Sequence, residues 1–285
     1  NIQTTTRSFS TGANYTYNGT SAQVTGNGLP STVNNLTISN AAGVTLTTST
    51  SLTGDLTVSS GTFDLGANSA NRSSSGGTLT LGAGTTLKIG GTGSLPSNYT
   101  AHSINSSSTV EYNGTNQTVA ALNSSQNYGT LIISGSGTKT LGGNIGIVND
   151  LTISGGTFDL STFTANRTAS GGSLTLSSGT TLTVGGSSGG LTGSNFPANF
   201  STLTLDGTVE YNGTGTQTVA PLAYTHVLFS NGGTKTIDGT IMFNGNFTVN
   251  AGAVVVVAAT GDIQINGNLI VGGSFTNNGT ISIGN

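Results

Sequence analysis

The chain has 285 residues, of which 5% are charged; nine acids against six bases give a formal net charge of −3. That balance offers no basic surface for nucleic acid or anionic lipid, and the absence of cysteine excludes disulfide and thiol chemistry. The 46 glycines sit among abundant Thr, Val, Ser and Asn, which departs from the charged, β-branch-poor composition of disorder and predicts many short strands joined by Gly/Asn turns.

The first segment, residues 1–16, reads "NIQTTTRSFSTGANYT" and carries Arg7 as its one charge. It is polar and extended, the character of a docking or donor strand. From Tyr17 onward the chain repeats itself. "YNGT" occurs at Tyr17, Tyr112 and Tyr211, spaced by 95 and 99 residues. "SGTFDLGANSANRSSSGGTLTLGAGTTLKIGG" from Ser60 returns as "GGTFDLSTFTANRTASGGSLTLSSGTTLTVGG" from Gly155, and "GTKTLGG" at Gly137 returns as "GTKTIDG" at Gly233. The chain therefore divides into repeat 1 (17–111), repeat 2 (112–210) and a shortened repeat 3 (211–285).

Within each repeat run apolar-polar-apolar triads: "LTI" at Leu36, "LTV" at Leu56, "FDL" at Phe63, "LTL" at Leu79 and "LKI" at Leu87. Alternation puts the outer residues of a triad on one face and the central one on the other. Gly, Asn and Ser clusters between them supply turns. The longest apolar run, "AVVVVAA" from Ala253, is strand-sized, well below the ~20 residues of a membrane span. No window shows helical spacing.

The expected fold is an all-β β-solenoid, a parallel β-helix forming one continuous stack; tandem β-sandwich modules of about one repeat each are the alternative. Very short strands, a shortened last repeat and insertions absorbed at turns favour the solenoid. At roughly 20 residues per coil the chain would make about 14 coils, a rod on the order of 65 Å long.

Candidate chemistry is sparse. Asp64 and Asp159, Asp55 and Asp150, and Glu111 and Glu210 are repeat equivalents. An acid–base pair needs one unsymmetrical site, so acids written once per repeat read as outward strand or turn residues. His102 and His226 occupy unrelated positions without acidic neighbours in sequence, and no metal-ligand or nucleophile motif occurs. Arg72 and Arg167, and Lys139 and Lys235, are expected to pair with acids of a neighbouring coil such as Asp64 or Asp159. Among Asn-x-Ser/Thr sequons, Asn18, Asn113, Asn166 and Asn212 are candidate glycosylation sites. Outward Thr rows of the ice-binding kind are conceivable, but Asp, Lys and Ser share their slots.

The two ends carry little charge, Asp262 being the one charge in "GDIQINGNLIVGGSFTNNGTISIGN". Open solenoid ends need covering, so each end is expected to dock on a neighbouring molecule. The expected junction residues are Ile2 and Phe9 at one end, and Phe275, Ile281 and Ile283 at the other.

The phrasing "VEYNGT…QTV", followed by "ISGSGTKTLGGNI" and "DLTISGGTFDL", resembles the repeats of bacterial secreted and cell-surface adhesin-like β-solenoid proteins. That resemblance implies a structural or adhesive surface role without catalytic residues. The expectation is an extracellular, non-enzymatic subunit without a cofactor, secreted or held at the cell surface. It would polymerise head to tail with itself into a filament for adhesion or a biofilm matrix, contacting surface glycans, with no nucleic-acid partner and no membrane insertion. A monomeric glycan- or ice-binding solenoid is the alternative.

Overall fold

The computed structural model describes residues 9–123 and 126–284. Ile2 and the rest of the expected donor segment before Phe9 lie outside the described residues. The strands wind into about 13 turns of a parallel β-solenoid, and a short 3₁₀ turn lies at Gly26–Gly28. Parallel pairing between successive coils excludes the tandem sandwich, whose strands run antiparallel.

The chain forms two compact units. The first, residues 1–114 with 122–129, carries β1 (Tyr15–Tyr17), β2 (Gln23–Val24), β3 (Thr32–Val33), β4 (Leu36–Ser39), β5 (Val44–Thr45) and β6 (Thr50–Leu52). It continues with β7 (Leu56–Ser60), β8 (Thr62–Asp64), β9 (Ala70–Arg72), β10 (Gly76–Leu81), β11 (Thr86–Ile89), β12 (Tyr99–Ile104) and β13 (Thr109–Tyr112). Its strands stack in the orders β1-β4-β7-β10-β12, β2-β5-β8-β11-β13 and β3-β6-β9, three walls around one core.

The second unit, residues 115–121 with 130–285, carries β14 (Gln117–Val119), β15 (Thr130–Ile133), β16 (Thr138–Leu141), β17 (Ile145–Ile147), β18 (Leu151–Ile153), β19 (Thr157–Asp159) and β20 (Ala165–Arg167). Then come β21 (Gly171–Leu176), β22 (Thr181–Val184), β23 (Phe200–Leu205), β24 (Thr208–Tyr211), β25 (Gln217–Thr218), β26 (Ala223–Tyr224), β27 (His226–Phe229) and β28 (Thr234–Ile237). The last strands are β29 (Thr240–Phe243), β30 (Phe247–Val249), β31 (Val254–Val257), β32 (Asp262–Ile265), β33 (Leu269–Val271), β34 (Ser274–Asn277) and β35 (Thr280–Ile283).

Paired residues lie from 18 positions apart, Val209 against Val227, to 29 apart, Leu174 against Leu203. Coil length thus varies by half, and the slack sits in the corners. One consequence is visible inside the second unit. The "TKTL" strand β16 stands in the sheet β14-β16-β19-β22-β24-β27-β30-β33, whereas its repeat equivalent, the "TKTI" strand β28, stands in the next sheet, β25-β28-β31-β34. A sequence repeat is not a whole number of coils, so it advances by one wall.

The triads behave as their alternation demands. Leu36, Leu56 and Leu79 form one inward file and Ile38, Val58 and Leu81 the next, all 0–1% exposed. Burying each such side chain contributes roughly 1.5–3 kcal/mol. The central Thr37, Thr57 and Thr80 form a file on the outer surface. Close stacking also explains the glycine before each "TFD" strand: at Gly61 (φ +73°) a Cβ would lie 2.0 Å from the Asn40 carbonyl oxygen, and at Gly156 (φ +64°) 2.3 Å from that of Gly137. Only glycine takes that left-handed conformation without strain at such an approach.

Candidate assembly surfaces and corner chemistry

The recurring "YNGT…Q" phrase builds a corner. Its tyrosine points inward: Tyr112 and Tyr211 are 0% exposed. Tyr211 Oη lies 2.9 Å from Tyr224 Oη and accepts from the Ala220 amide, while Tyr224 Oη donates to the Ala220 carbonyl. Burial pushes the Tyr211 hydroxyl up to about 12, and raises that of Tyr224 as well. The glutamine folds back to close the turn. Gln23 Oε1 accepts from the Gly19 amide at 2.9 Å, and Gln217 Oε1 from the equivalent Gly213 amide at 2.8 Å.

The lysines overturn one expectation. Lys139 and Lys235 do not reach outward toward Asp64 or Asp159; both point into the core at 0% exposure. Lys139 Nζ donates to the Ser136 carbonyl at 2.6 Å. Lys235 Nζ faces five backbone carbonyls: Gly213 (2.8 Å), Ser230 (2.8 Å), Asn231 (3.2 Å), Gly232 (2.5 Å) and Gly233 (3.4 Å). The turn "SNGGTK" curls its own carbonyls around the ammonium that follows it. Burial lowers the pKa of both amines below the usual lysine value. In "TKTL" and "TKTI" the lysine alternates onto the same side as Leu141 and Ile237, which is the signal that reveals its direction.

The arginines differ from expectation in a similar way. Arg72 donates to the carbonyls of Gly54 (2.8 Å), Ser74 (2.6 Å) and Thr53, rather than to Asp64. Arg167 donates to those of Asn149 (3.0 Å) and Ala169. Both guanidiniums bind corners where peptide carbonyls converge. The ion pair that the described residues do form is Lys88–Glu111, 3.1 Å across adjacent coils.

Each repeated acid has a local task. Asp55 and Asp150 accept from the amides of Thr78 (2.8 Å) and Ser173 (2.7 Å) one coil on. Asp64 and Asp159 close the turns at Gly66 and Ser161, each at 2.8 Å. Glu210 accepts from Ser230 Oγ at 2.5 Å. His102 Nδ1 accepts from the Asn123 amide at 2.8 Å, and burial lowers its pKa; His226 Nδ1 accepts from the Asn246 amide at 3.0 Å. Among the described residues, no three His, Asp or Glu side chains gather into a metal-binding group, and no helix is long and apolar enough to cross a membrane.

The sequon asparagines are placed unequally. Asn18 is exposed after β1, whereas Asn113, Asn166 and Asn212 are half-buried. Asn166 uses both ends of its amide, donating to Gly189 and accepting from Ala198. The outer Thr16, Thr37, Thr57, Thr80 and Ser103 stack in register across five coils, but the outward positions beside this file hold Asn14, Asn35 and Asp55. A shallow recess of about 170 Å³ crosses β2, β5 and β8, lined by Gln23, Thr45, Thr62 and Asp64 with Ala22 and Ala42.

The end surfaces concentrate exposed apolar side chains. Ile270 (48%), Val271 (46%) and Ile283 (59%) are exposed on the last described coil, with Phe275 and Ile281 half-buried beside them. Phe275 joins an aromatic cluster drawn from three walls, its ring 5.7 Å from that of Phe247, which lies 4.9 Å from Phe243, and it stacks in register on Val255. In the first unit, Phe9 is half-buried near Gly28. No family model, curated protein or solved structure matches this chain.

Proposed function

We propose that the chain is a non-enzymatic structural subunit of an extracellular bacterial filament, polymerising head to tail through its ends and serving adhesion or a matrix. One observation carries this reading. Strands β33, β34 and β35 each pair on one side alone among the described residues, and Ile270, Val271 and Ile283 are exposed there. A parallel edge with exposed apolar side chains can receive another chain's strands, and a head-to-tail contact that does not close generates a fibre. The surface location rests on the low-charge composition and the adhesin-like phrasing.

Sedimentation velocity over a hundredfold concentration range, with electron microscopy of the same samples, tests the proposal. The expected result is concentration-dependent growth into unbranched fibres. Monomers at every concentration would overturn it. A second reading, a monomeric glycan binder, is favoured by the recess over β2, β5 and β8; saturable glycan binding lost in Thr45→Arg would support it.

A further inference from the structure

The internal repeat specifies how one molecule would sit on the next. "GGSLTLSSGTTLTV" from Gly171 aligns with "NGNLIVGGSFTN" from Asn266, the second being two residues shorter at its turn. Leu174 then matches Leu269, Leu176 matches Val271 and Leu182 matches Phe275, so β33 and β34 are the equivalents of β21 and β22. In the second unit, β22 is covered by the "TVEY" strand β24, Leu182 opposite Val209, Thr183 opposite Glu210 and Val184 opposite Tyr211. In the first unit, the equivalent β11 is covered by the "TVEY" strand β13, Leu87 opposite Val110 and Lys88 opposite Glu111. Both units follow one rule: the next strand on this wall is the one that ends in the tyrosine of "YNGT".

The strand of repeat 1 that ends in that tyrosine is β1, which pairs with β4 and with no other described strand. Resting on the reading of the chain as a head-to-tail polymer, we infer that β34 of one molecule is the docking edge for β1 of a second copy. The repeat fixes the register. Phe275 faces Tyr15 of the second copy, Thr276 faces its Thr16 and Asn277 faces its Tyr17. On the preceding wall, Leu81 lies opposite Ile104; Val271 is the equivalent of Leu81, and Phe9 stands eight residues before Tyr17 as Ile104 does before Tyr112. With the turn length of the first unit, Phe9 of the second copy covers the exposed Val271.

The contacts suit the side chains present. Tyr15 covers the Phe275 ring, which already belongs to an aromatic cluster with Phe247 and Phe243, and the apolar Val271 is covered by an aromatic ring, each removing surface from water. Thr16 and Thr276 are exposed outward positions that come to face one another at the spacing of adjacent strands, about 4.8 Å. Simple continuation of the first coil would instead place β1 on β33, one wall earlier, with Thr16 opposite Ile270. These two arrangements differ by one wall and are separable.

The chain has no cysteine, and the Cα spacing of paired strands lies within disulfide range, so engineered thiols report the register. Full-length Thr16→Cys/Thr276→Cys and Thr16→Cys/Ile270→Cys variants would be oxidised under identical conditions, beside sedimentation of the unmodified protein. The expected result is a ladder of covalent multimers from the first pair, at least fivefold above the second. Preferential cross-linking of the Ile270→Cys pair would overturn the register while leaving the polymer intact. Oligomers of the unmodified protein with cross-links from neither pair would place the junction elsewhere and overturn it too. A unmodified protein that stays monomeric would remove both this inference and the polymer reading.

Discussion

One corner of the first unit and its equivalent in the second are built with different donors. In the second unit, Gln217 closes the "NGT" turn and Lys235 fills the space beneath it, donating to the carbonyls of "SNGG". In the first unit, Gln23 closes the equivalent turn, but the position of Lys235 is held by Val44. There Asn40, 0% exposed, does the donating: its Nδ2 bonds the Ser21 carbonyl at 2.8 Å and Gln23 Oε1 at 2.9 Å, while its Oδ1 accepts from the Ala42 amide at 2.9 Å. Tight coil corners turn carbonyl oxygens inward, and those oxygens need donors. An ammonium or a carboxamide both serve. What the corner selects is a buried supply of N–H groups; charge is incidental.

Four experiments would break or sharpen that comparison. The largest effect is expected from Val44→Lys, which buries an ammonium where Asn40 already holds the acceptors. It should cost about 4 kcal/mol by urea unfolding, and adding Asn40→Gly should restore at least half. A fully stable Val44→Lys protein would refute the idea that the two donors exclude one another. Next, Lys235→Met strands the carbonyls of the second unit, with a loss of about 3 kcal/mol expected from chemical denaturation.

A smaller effect should follow pH in the first unit. His102 has a folded pKa below its ordinary 6.5, so the unfolded chain binds more protons between those two values. Stability is complete above 6.5 and declines as pH falls through that window toward the folded value. The protection factor of the Asn123 amide, which donates to His102 Nδ1, should fall there, and His102→Gln should flatten the profile. Smallest of all, Thr57→Ala on the outer wall should change stability by no more than about 0.5 kcal/mol; a larger loss would give the outer Thr file a structural weight that its position does not imply.

Much of the fold was legible in short words. Triads such as Leu36–Thr37–Ile38 announce strands with one buried side, and the Gly/Asn clusters between them leave room for turns alone. The lysines were misread because charge is normally outside, although their alternation with Leu141 and Ile237 already set them inward. The arginines could not be read at all. Arg72 and Arg167 answer carbonyls that converge when a coil closes, and no side-chain pattern records where peptide oxygens will meet. The advance by one wall was equally hidden, because coil length ranges from 18 to 29 residues and a repeat of about 95 residues cannot be divided into coils without seeing the corners.

That advance has a bearing on multivalency. In the second unit β16 and β28 carry the same motif on adjacent walls, so any group attached once per repeat is displayed around the axis in steps rather than along a single line. A rigid partner lying flat on one wall would meet non-equivalent residues from one repeat to the next. A flexible or encircling partner could engage equivalent positions in succession. Avidity for this chain would therefore depend on how far a ligand can bend between its contacts, as much as on how tightly it grips any one of them.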